Sequence, residues 1–316
     1  MPRLKYIPAL LLAGTLAAEE QTDFIIGPKY NDAPETKVHP GVPKGKVHHF
    51  IMKSQDSKIY KGIAKSKRTT VPYERKVWVY VPEQYKKGDA APFIIAQDGS
   101  WYRDVLPKTL DNLIHEKRVP VMIAIMINSG GGDAQGSQRG LEYDTVDNVY
   151  VKFVEDEVLP RASKECDVEF TSNPDARATM GGSSGAAAAF TMAWFRPDLY
   201  HRVLSYSGTY VNQQSPKNPK TPRGAWEYHD TILPRAKPKP LRIWLHVSEH
   251  DNGHNKDEAS LHNWVMANQR MAAALKKRGY QYRYVFSKNS GHVDGKVTLQ
   301  TLPTALEWLW ADYAGQ

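Results

Sequence analysis

The sequence has a single cysteine, Cys166, among 316 residues, so no disulfide can form within the chain. This excludes the class of small secreted domains that depend on disulfides, and the fold must rely on its apolar core. Cys166 lies in "RASKECDVEF", which has no glycine turn to expose the thiol. We therefore expect a packed or half-exposed thiol at this position and not a nucleophile.

Long apolar runs are missing beyond the first 20 residues. The run from Ile7 to Ala18 follows two basic residues and precedes an acidic pair, and it is too short to span a bilayer. It predicts a signal peptide over residues 1–18, with cleavage near Ala17 or Ala18; an N-terminal helix retained in the fold is the alternative. We therefore expect a secreted or periplasmic protein without stable membrane insertion.

The charge is mildly basic, with 42 Lys and Arg against 34 Asp and Glu and a formal net charge of +8. The basic residues are concentrated in stretches that read as solvated loops or edges. They do not alternate with aromatic residues, and no named nucleic-acid module is present. We therefore expect no nucleic-acid partner.

Apolar runs and helical patterns alternate through the rest of the chain. "FIIA" and "VMIAIMI" are apolar throughout, as in strands buried on both faces, whereas "TVDNVYVKFVEDEVLPRA" has helical spacing that we expect to stop at Pro160. A longer helix is expected from about Leu261 to Lys277. The alternation predicts an α/β fold with a mostly parallel central sheet and helices on both faces. We expect one domain over residues 45–316, preceded by an N-terminal arm over residues 19–44.

A turn rich in glycine and serine, "TMGGSSGAAAAF", carries the strongest functional signal. It matches G-x-S-x-G with Ser183 at the centre, a short strand before it and strong helix formers after it. The flanking glycines permit a sharp turn that projects the Ser183 hydroxyl above the sheet. The N–H of Ser184, at the start of the helix, can stabilise an oxyanion. The pattern predicts that Ser183 is a nucleophile.

The partners of such a serine are expected downstream, first an acid and then a histidine. His292 lies in "SGHVDG", between the strand "YRYVF" and the final helix. The strand "LRIWLHV" leads to Glu249 and Asp251, and both qualify as the acid. We favour Asp251, because it lies farther beyond the strand end and precedes an Asn-Gly turn.

An earlier loop, "QDGSWYRD", is expected to supply a second oxyanion donor. Gly99 permits a tight turn, and the N–H of Ser100 is the candidate donor. Asp98 and Trp101 are candidate neighbours of the site. A turn with a packed tryptophan explains these two residues equally well.

Two other classes of function compete with nucleophilic catalysis. His246, His250 and His254 recur every four residues and would align as metal ligands on a helix. His246 belongs to an apolar strand, however, and an Asn-Gly pair breaks any helix there, so we expect neither a metal nor another cofactor. A non-catalytic binding protein is the other alternative, which the presence of a complete serine, acid and histidine set disfavours.

The chain resembles the esterase D or enterochelin esterase-like family of α/β-hydrolases, which includes feruloyl and acetylxylan-type esterases, S-formylglutathione hydrolases and mycolyltransferases. The resemblance extends from about residue 45 to residue 313. It rests on "VWVYVPEQY", "FIIAQDGSWY", "SQRGLEYDT", "MGGSSGAAAAFTMAWFRPDLYHRVLSYSGTY", "VSEHDNG", "HNWVMANQRMAAALKKRGYQYRYVF" and "SGHVDGK".

The resemblance implies an α/β-hydrolase fold and a serine carboxylic ester hydrolase that needs no cofactor. It makes Ser183 the nucleophile, Asp251 the acid and His292 the base. It also makes the N–H groups of Ser184 and Ser100 the oxyanion hole. The chain departs from the family at Ala186, where many relatives have glycine, and this position concerns helix packing.

The substrate is less closely indicated. The segment "RGLEYD" is typical of the enterochelin esterase-like branch, which suggests Glu142 and Tyr143 as wall residues; helix capping around Asp144 is an equal alternative. Other aromatic candidates for the wall, which ordinary packing also explains, are Trp101, Tyr102, Tyr210 and Trp264. We expect a small-molecule or polysaccharide-linked ester, either a feruloyl or acetyl-sugar ester or a siderophore-type lactone, because export favours environmental esters.

Overall fold

The computed structural model describes residues 22–66, 69–133 and 135–313. The predicted signal peptide, residues 1–18, lies outside the described residues. Nine strands form the main sheet: β1 (Asp23–Ile26), β2 (Lys46–Lys53), β3 (Glu74–Val81), β4 (Phe93–Gln97), β5 (Ile123–Ile127), β6 (Arg177–Gly182), β7 (Arg202–Tyr206), β8 (Arg242–His250) and β9 (Gln281–Gly291). Two short strand pairs lie outside it: Ala64–Ser66 with Thr69–Thr70, and Ala90–Ala91 with Glu169–Phe170.

The strand order is β1-β9-β8-β7-β6-β4-β5-β3-β2. Neighbouring strands from β1 to β5 in this order run parallel. At the other edge, β3 pairs antiparallel with β5, and β2 pairs antiparallel with β3. The central strands β4 to β7 are buried along their whole length, because helices cover both faces of the sheet. The predicted α/β architecture with a mostly parallel sheet is confirmed.

The helices connect the strands and cover the two faces. They are α1 (Gly99–Tyr102), α2 (Leu106–His115), α3 (Gln138–Tyr143), α4 (Val149–Phe153), α5 (Leu159–Cys166), α6 (Ser184–Phe195), α7 (Leu233–Arg235), α8 (Trp264–Lys277) and α9 (Gly295–Trp310). Short 3-10 turns occur at Pro34–Thr36, Ser54–Asp56, Pro174–Ala176, Gly224–Trp226 and Glu258–Ser260, and π-helical turns at Val154–Val158 and Tyr228–Ile232. None of the helices in the described part of the chain is long and apolar enough to cross a membrane.

The apolar core lies in two clusters on opposite faces of the sheet. Alternation along β3 shows the division: Val77 and Val79 belong to the cluster that also contains residues of α4, α5, α6 and α8, whereas Trp78 and Tyr80 belong to the cluster that also contains residues of α2 and α9. All four side chains are buried, since this strand is covered on both sides. The sheet is thereby fixed between two helical layers, and the loops at the ends of its strands are left to carry the chemistry.

The helix that was expected to stop at Pro160 continues to Cys166, so that prediction is wrong. A π-helical turn over Val154–Val158 precedes the proline, and the N–H of Leu159 donates to the carbonyl of Val154, five residues back. In a regular α-helix the proline ring would meet the carbonyl four residues earlier. The π-helical turn has wider spacing than an α-helical one and accommodates the proline, so the helix continues.

Part of the predicted N-terminal arm belongs to the sheet. β1 pairs in parallel with β9, and Asp23 lies opposite Tyr284. The chain then runs along α2, where the side-chain amide of Asn112 donates to the carbonyls of Glu35 and Lys37. Residues 22–44 therefore pack on the same body as the strands that follow.

Candidate active site

Ser183 stands at the turn between β6 and α6, where the carboxyl end of a central strand meets a helix N-terminus. Its backbone has φ 58° and ψ −127°, a conformation that L-residues rarely adopt. A Cβ on Gly181 would lie 2.4 Å from the backbone of Gly185, and a Cβ on Gly185 would lie 3.0 Å from the Asp98 carboxylate. Close packing around the turn therefore leaves no room for a side chain at Gly181 and little at Gly185.

Two hydrogen bonds, both to His292, link the three residues expected to form a triad. The Ser183 Oγ is 2.8 Å from His292 Nε2, and His292 Nδ1 is 2.5 Å from Asp251 Oδ1. A carboxylate only accepts hydrogen bonds, so Nδ1 carries the proton and Nε2 is left to accept the serine hydroxyl. These residues follow β6, β8 and β9, whose carboxyl ends meet at one edge of the sheet.

Asp251 is buried, with 1% of its surface exposed. Burial raises the pKa of this carboxyl, but the hydrogen bond and the charge of His292, together with donors from Ser207 and the Asn252 N–H, outweigh burial and hold its pKa below the ordinary value. Asp251 is therefore ionised near neutral pH, which is the state that orients an imidazole.

Glu249, the alternative acid, points elsewhere. Its carboxylate accepts hydrogen bonds from the Lys288 ammonium group at 2.9 Å and from the Asn289 N–H at 2.8 Å, both on the neighbouring strand β9. It has no contact with the histidine among the described hydrogen bonds. The structure thus brings Asp251, and not Glu249, to His292.

Of the two predicted oxyanion donors, one is engaged within the protein. The N–H of Ser184 belongs to the first turn of α6, whose N–H groups have no partner within the helix. The N–H of Ser100, in contrast, donates to the side-chain oxygen of Asn128 at 2.8 Å. The sequence did not indicate this contact, because Asn128 comes from the loop after β5.

The loop that carries Ser100 is held by an ion pair that sequence reasoning missed. Asp98 has a positive φ of 56°, and its two carboxylate oxygens accept from Arg139 Nε at 3.0 Å and Nη2 at 2.7 Å. Such a bidentate pair fixes both position and orientation. Arg139 lies in the "RGLEYD" segment, 41 residues from Asp98, and no spacing rule connects them.

The predicted wall residues separate into exposed and buried ones. Trp101 is 75% exposed, next to the Ser100 loop. Tyr102 is buried, and its hydroxyl lies 3.3 Å from where a Cβ on Gly182 would be. Trp264 is buried beside the histidine, with its ring 6.1 Å from that of His292 at 83°.

Glu142, Tyr143 and Tyr210 are completely buried, which contradicts their interpretation as wall residues. Glu142 forms an ion pair with Arg75 at 2.7 Å, and Tyr210 shares a hydrogen bond with Ser205. The Tyr143 hydroxyl accepts from the N–H of Asp98 at 3.3 Å and so supports the loop from below. Their polar groups stabilise the core and the loop behind the site.

Sequence reasoning assigned no role at the site to two further residues, Thr209 beside Ser183 and Asp144 beside Ser184. Thr209 Oγ1 lies 3.3 Å from Ser183 Oγ, in the loop after β7. Asp144 is buried at the end of α3 and accepts from the side chain of Gln213 at 2.9 Å, and burial raises its pKa to about 6. The resemblance pointed only to the segment containing Asp144, and the position of Thr209 depends on how the loop folds back over the turn.

The histidines considered as metal ligands do not converge. His246 is buried in β8, where its Nε2 bonds to the Ser287 hydroxyl at 2.8 Å and burial lowers its pKa to about 4. His250 and His254 are neighbours, with ring centroids 5.4 Å apart. Over residues 22–66, 69–133 and 135–313, no three His, Cys, Asp or Glu side chains are grouped to hold a metal ion.

Cys166 is half-buried at the end of α5. Burial, with a smaller contribution from the nearby Glu165 charge, raises the pKa of its thiol to about 11. The thiolate is therefore disfavoured at neutral pH, which agrees with the expectation of an unreactive thiol.

The strand order and the strand-to-helix turn define an α/β-hydrolase fold. The chain belongs to the esterase family described as "Putative esterase", whose model matches residues 69–299. This membership confirms the resemblance found in the sequence and supports ester hydrolysis as the general reaction. No curated protein sequence matches the chain.

Solved structures of esterases share the fold. The enterobactin esterase Fes from Shigella flexneri, in the presence of 2,3-dihydroxy-N-benzoyl-glycine, has a TM-score of 0.60 at 19% identity; the match covers 88% of this chain but 64% of Fes. A ferulic acid esterase has a TM-score of 0.60 at 16% identity, over 85% of this chain and 99% of its own. A feruloyl esterase module from Clostridium thermocellum, complexed with sinapinate, has a TM-score of 0.60 at 11% identity, with 94% and 98% covered.

Proposed function

We propose that this esterase is a serine carboxylic ester hydrolase with Ser183 as nucleophile, His292 as general base and Asp251 as the acid that orients the histidine. The observation that carries the proposal is the continuous hydrogen-bonded path from Ser183 Oγ to His292 Nε2, at 2.8 Å, and from His292 Nδ1 to Asp251 Oδ1, at 2.5 Å. Nucleophile, base and orienting acid in this order are the requirements for activating a serine hydroxyl.

In the acylation step, Ser183 Oγ attacks the ester carbonyl carbon while its proton passes to His292 Nε2. The carbonyl oxygen becomes an oxyanion, and His292 then returns the proton to the departing alcohol oxygen. Asp251 stays ionised and stabilises the imidazolium formed in between, which agrees with its lowered pKa. In the deacylation step, water attacks the acyl-enzyme with His292 again acting as general base, and the carboxylic acid product is released.

The N–H of Ser184 is the oxyanion donor that we propose first, because it lies at the N-terminus of α6 directly after the nucleophile. The N–H of Ser100 is the second. Its bond to Asn128 Oδ1 has to be shared with, or replaced by, the substrate oxygen during the reaction. The ion pair of Asp98 with Arg139 holds the Ser100 loop in place when this bond is shared or replaced.

We further propose that the substrate is an aryl-acyl, acetyl-sugar or siderophore-type ester. We also propose that the esterase is exported. The exposed Trp101 beside the Ser100 loop offers a flat apolar face for an aromatic ring or a sugar. The similar solved structures include an enterobactin esterase and feruloyl esterases. Hydrolysis rates across feruloyl, acetyl-sugar, lactone and simple aryl esters would rank these substrates. The N-terminal sequence of the exported chain would test cleavage near Ala18.

The variant Ser183→Ala tests the assignment directly. We expect a loss of kcat for p-nitrophenyl esters on the order of 10⁴- to 10⁶-fold, as for removal of a serine nucleophile in general, and no covalent labelling by a fluorophosphonate. Ser184→Ala is the matched control, because its hydroxyl contacts the side chain of Gln213 and its N–H is retained. It should lose far less activity.

Activity of Ser183→Ala close to that of the wild type would refute the assignment. A folded wild-type protein that neither hydrolyses any ester of the panel nor reacts at Ser183 with the fluorophosphonate would favour a non-catalytic binding protein. Because the two serines are adjacent, fragmentation mass spectrometry of the labelled peptide is needed to show that the label is on Ser183 and not on Ser184. Only Ser183 contacts His292.

A further inference from the structure

The hydroxyl of Thr209 lies between the nucleophile and a tryptophan. Its Oγ1 is 3.3 Å from Ser183 Oγ and 3.2 Å from the indole nitrogen of Trp264. Thr209 is 1% exposed and Trp264 is 7% exposed, so bulk water does not compete for these bonds. The three groups form a short hydrogen-bonded chain that meets the bond to His292 at Ser183 Oγ.

The direction of each bond follows from the chemistry of the groups. An indole N–H only donates, so Thr209 Oγ1 accepts from Trp264. The Ser183 proton is directed to His292 Nε2, since His292 Nδ1 already donates to the carboxylate. The remaining proton in the chain is that of the Thr209 hydroxyl, and the only other partner described for it is Ser183 Oγ.

We propose that Thr209 is a further catalytic residue that donates a hydrogen bond to Ser183 Oγ, and that Trp264 is a positioning residue that fixes the direction of this donation. The inference rests on the proposed function above. No bond at Thr209 forms or breaks in the reaction. Its hydroxyl stabilises negative charge on Oγ twice, when the serine loses its proton to His292 and when Oγ leaves the acyl group during deacylation.

The backbone around Thr209 is held in the geometry that this role needs. The N–H of Thr209 donates to the carbonyl of Ser183 at 3.1 Å. The buried side chain of Asn268 donates both to the carbonyl of Gly208 and to that of Trp264, at 2.9 Å each. The loop after β7, the nucleophile turn and α8 are therefore tied together, and the donor is in place before charge develops.

The variant Thr209→Val removes the hydroxyl and keeps the shape of the side chain. We expect kcat to fall about 10- to 100-fold, the range for one hydrogen bond to a developing charge, while KM changes little, because the bond strengthens only as charge develops on Oγ. The second-order rate of fluorophosphonate labelling should fall in parallel. Thr209→Ser should recover most of the lost rate, and Trp264→Phe should lose part of it.

Thr301→Val is the matched control for removing a buried threonine hydroxyl. Thr301 bonds to the Tyr206 hydroxyl at 3.0 Å on the other face of the sheet, so its loss should affect stability but not the labelling rate. Thermal unfolding of every variant separates folding from chemistry. If Thr209→Val folds poorly, Thr209→Ser and Trp264→Phe still test the order of rates.

The outcomes distinguish this inference from the proposed function. Absence of labelling at Ser183 in the wild type overturns both. If the wild type is labelled and Thr209→Val reacts at the same rate, only the role of Thr209 is overturned. A Thr209→Ser variant as slow as Thr209→Val, or a change confined to KM, would show that packing and not the hydroxyl matters, and would also overturn it.

Discussion

The Asp144→Asn substitution should change how the stability of the protein depends on pH. Asp144 is 2% exposed at the end of α3, with one carboxylate oxygen bonded to Gln213 and the other without a partner among the described atoms. Burial is the main cause that raises its pKa from 3.8 to about 6, although Gln213 and Ser184 donate to it. Asparagine keeps the shape and cannot ionise.

The sign follows from linkage. Between pH 3.8 and 6 the folded state of Asp144 binds more protons than the unfolded state, so stability falls as pH rises through this range. The full difference corresponds to about 3 kcal/mol, at ~1.4 kcal/mol per pKa unit. About 1 kcal/mol of this is already lost near pH 4.5, which leaves about 2 kcal/mol between pH 4.5 and pH 7.5.

Urea unfolding of the wild type and of Asp144→Asn at about pH 4.5 and 7.5 measures this contribution. We expect the free energy of unfolding of the variant, relative to the wild type, to rise by about 2 kcal/mol from the lower to the higher pH. Any constant offset from the new amide cancels, because only the change with pH is compared.

Asp312→Asn is the control, because the pKa of this carboxyl is shifted in the opposite direction. Burial of Asp312 is outweighed by its hydrogen bond to Arg202 and by the charges of Arg202 and Arg242, which lower its pKa. The stability that its carboxylate supplies is lost only as pH falls below about 4, so its removal should cost nearly the same at pH 4.5 and at pH 7.5. A difference between Asp144→Asn and the wild type that stays constant across the range, or that falls with pH, would refute the reasoning for Asp144.

Two other substitutions test the site and the core. Asp251→Asn should lower kcat for ester hydrolysis by about 10⁴-fold, because the amide no longer holds the tautomer of His292 that accepts the serine proton. Glu249→Gln should change kcat little. Equal losses of kcat in the two variants would contradict the assignment of the acid. Glu142→Gln should lower the free energy of unfolding in urea by about 3–5 kcal/mol, because the completely buried guanidinium of Arg75 loses its counter-ion. A loss below ~1 kcal/mol would argue that water reaches this ion pair.

Several features of the site could be predicted because they depend on local pattern. The Ser183 turn is encoded by adjacent glycines, a short strand and helix formers, and each is visible within a dozen residues. The order serine, acid, histidine then directs attention to the loops after β8 and β9. Parallel strands bring their carboxyl ends to one edge, so Asp251 and His292 arrive near Ser183 without any detail of packing.

Other features could not be predicted because they join distant parts of the chain. The pair of Asp98 with Arg139, the bond of Ser100 to Asn128 and the place of Thr209 all depend on how loops from different strands settle on each other. Glu142 was misread for the same reason: the resemblance suggested a wall residue, but its partner Arg75 is 67 residues away.

The sequence by itself determined the α/β class, the esterase resemblance and the chemical type of the three central residues, since these follow from periodicity, turn composition and chain order. It left Ser183 and Ser184 as neighbouring hydroxyls distinguished only by their places in a motif. The tertiary structure alone decided which side-chain atoms meet, because hydrogen-bond directions and burial are set by contacts between elements far apart in sequence. The burial of Asp144 and the contact of Thr209 with Ser183 were decided in this way.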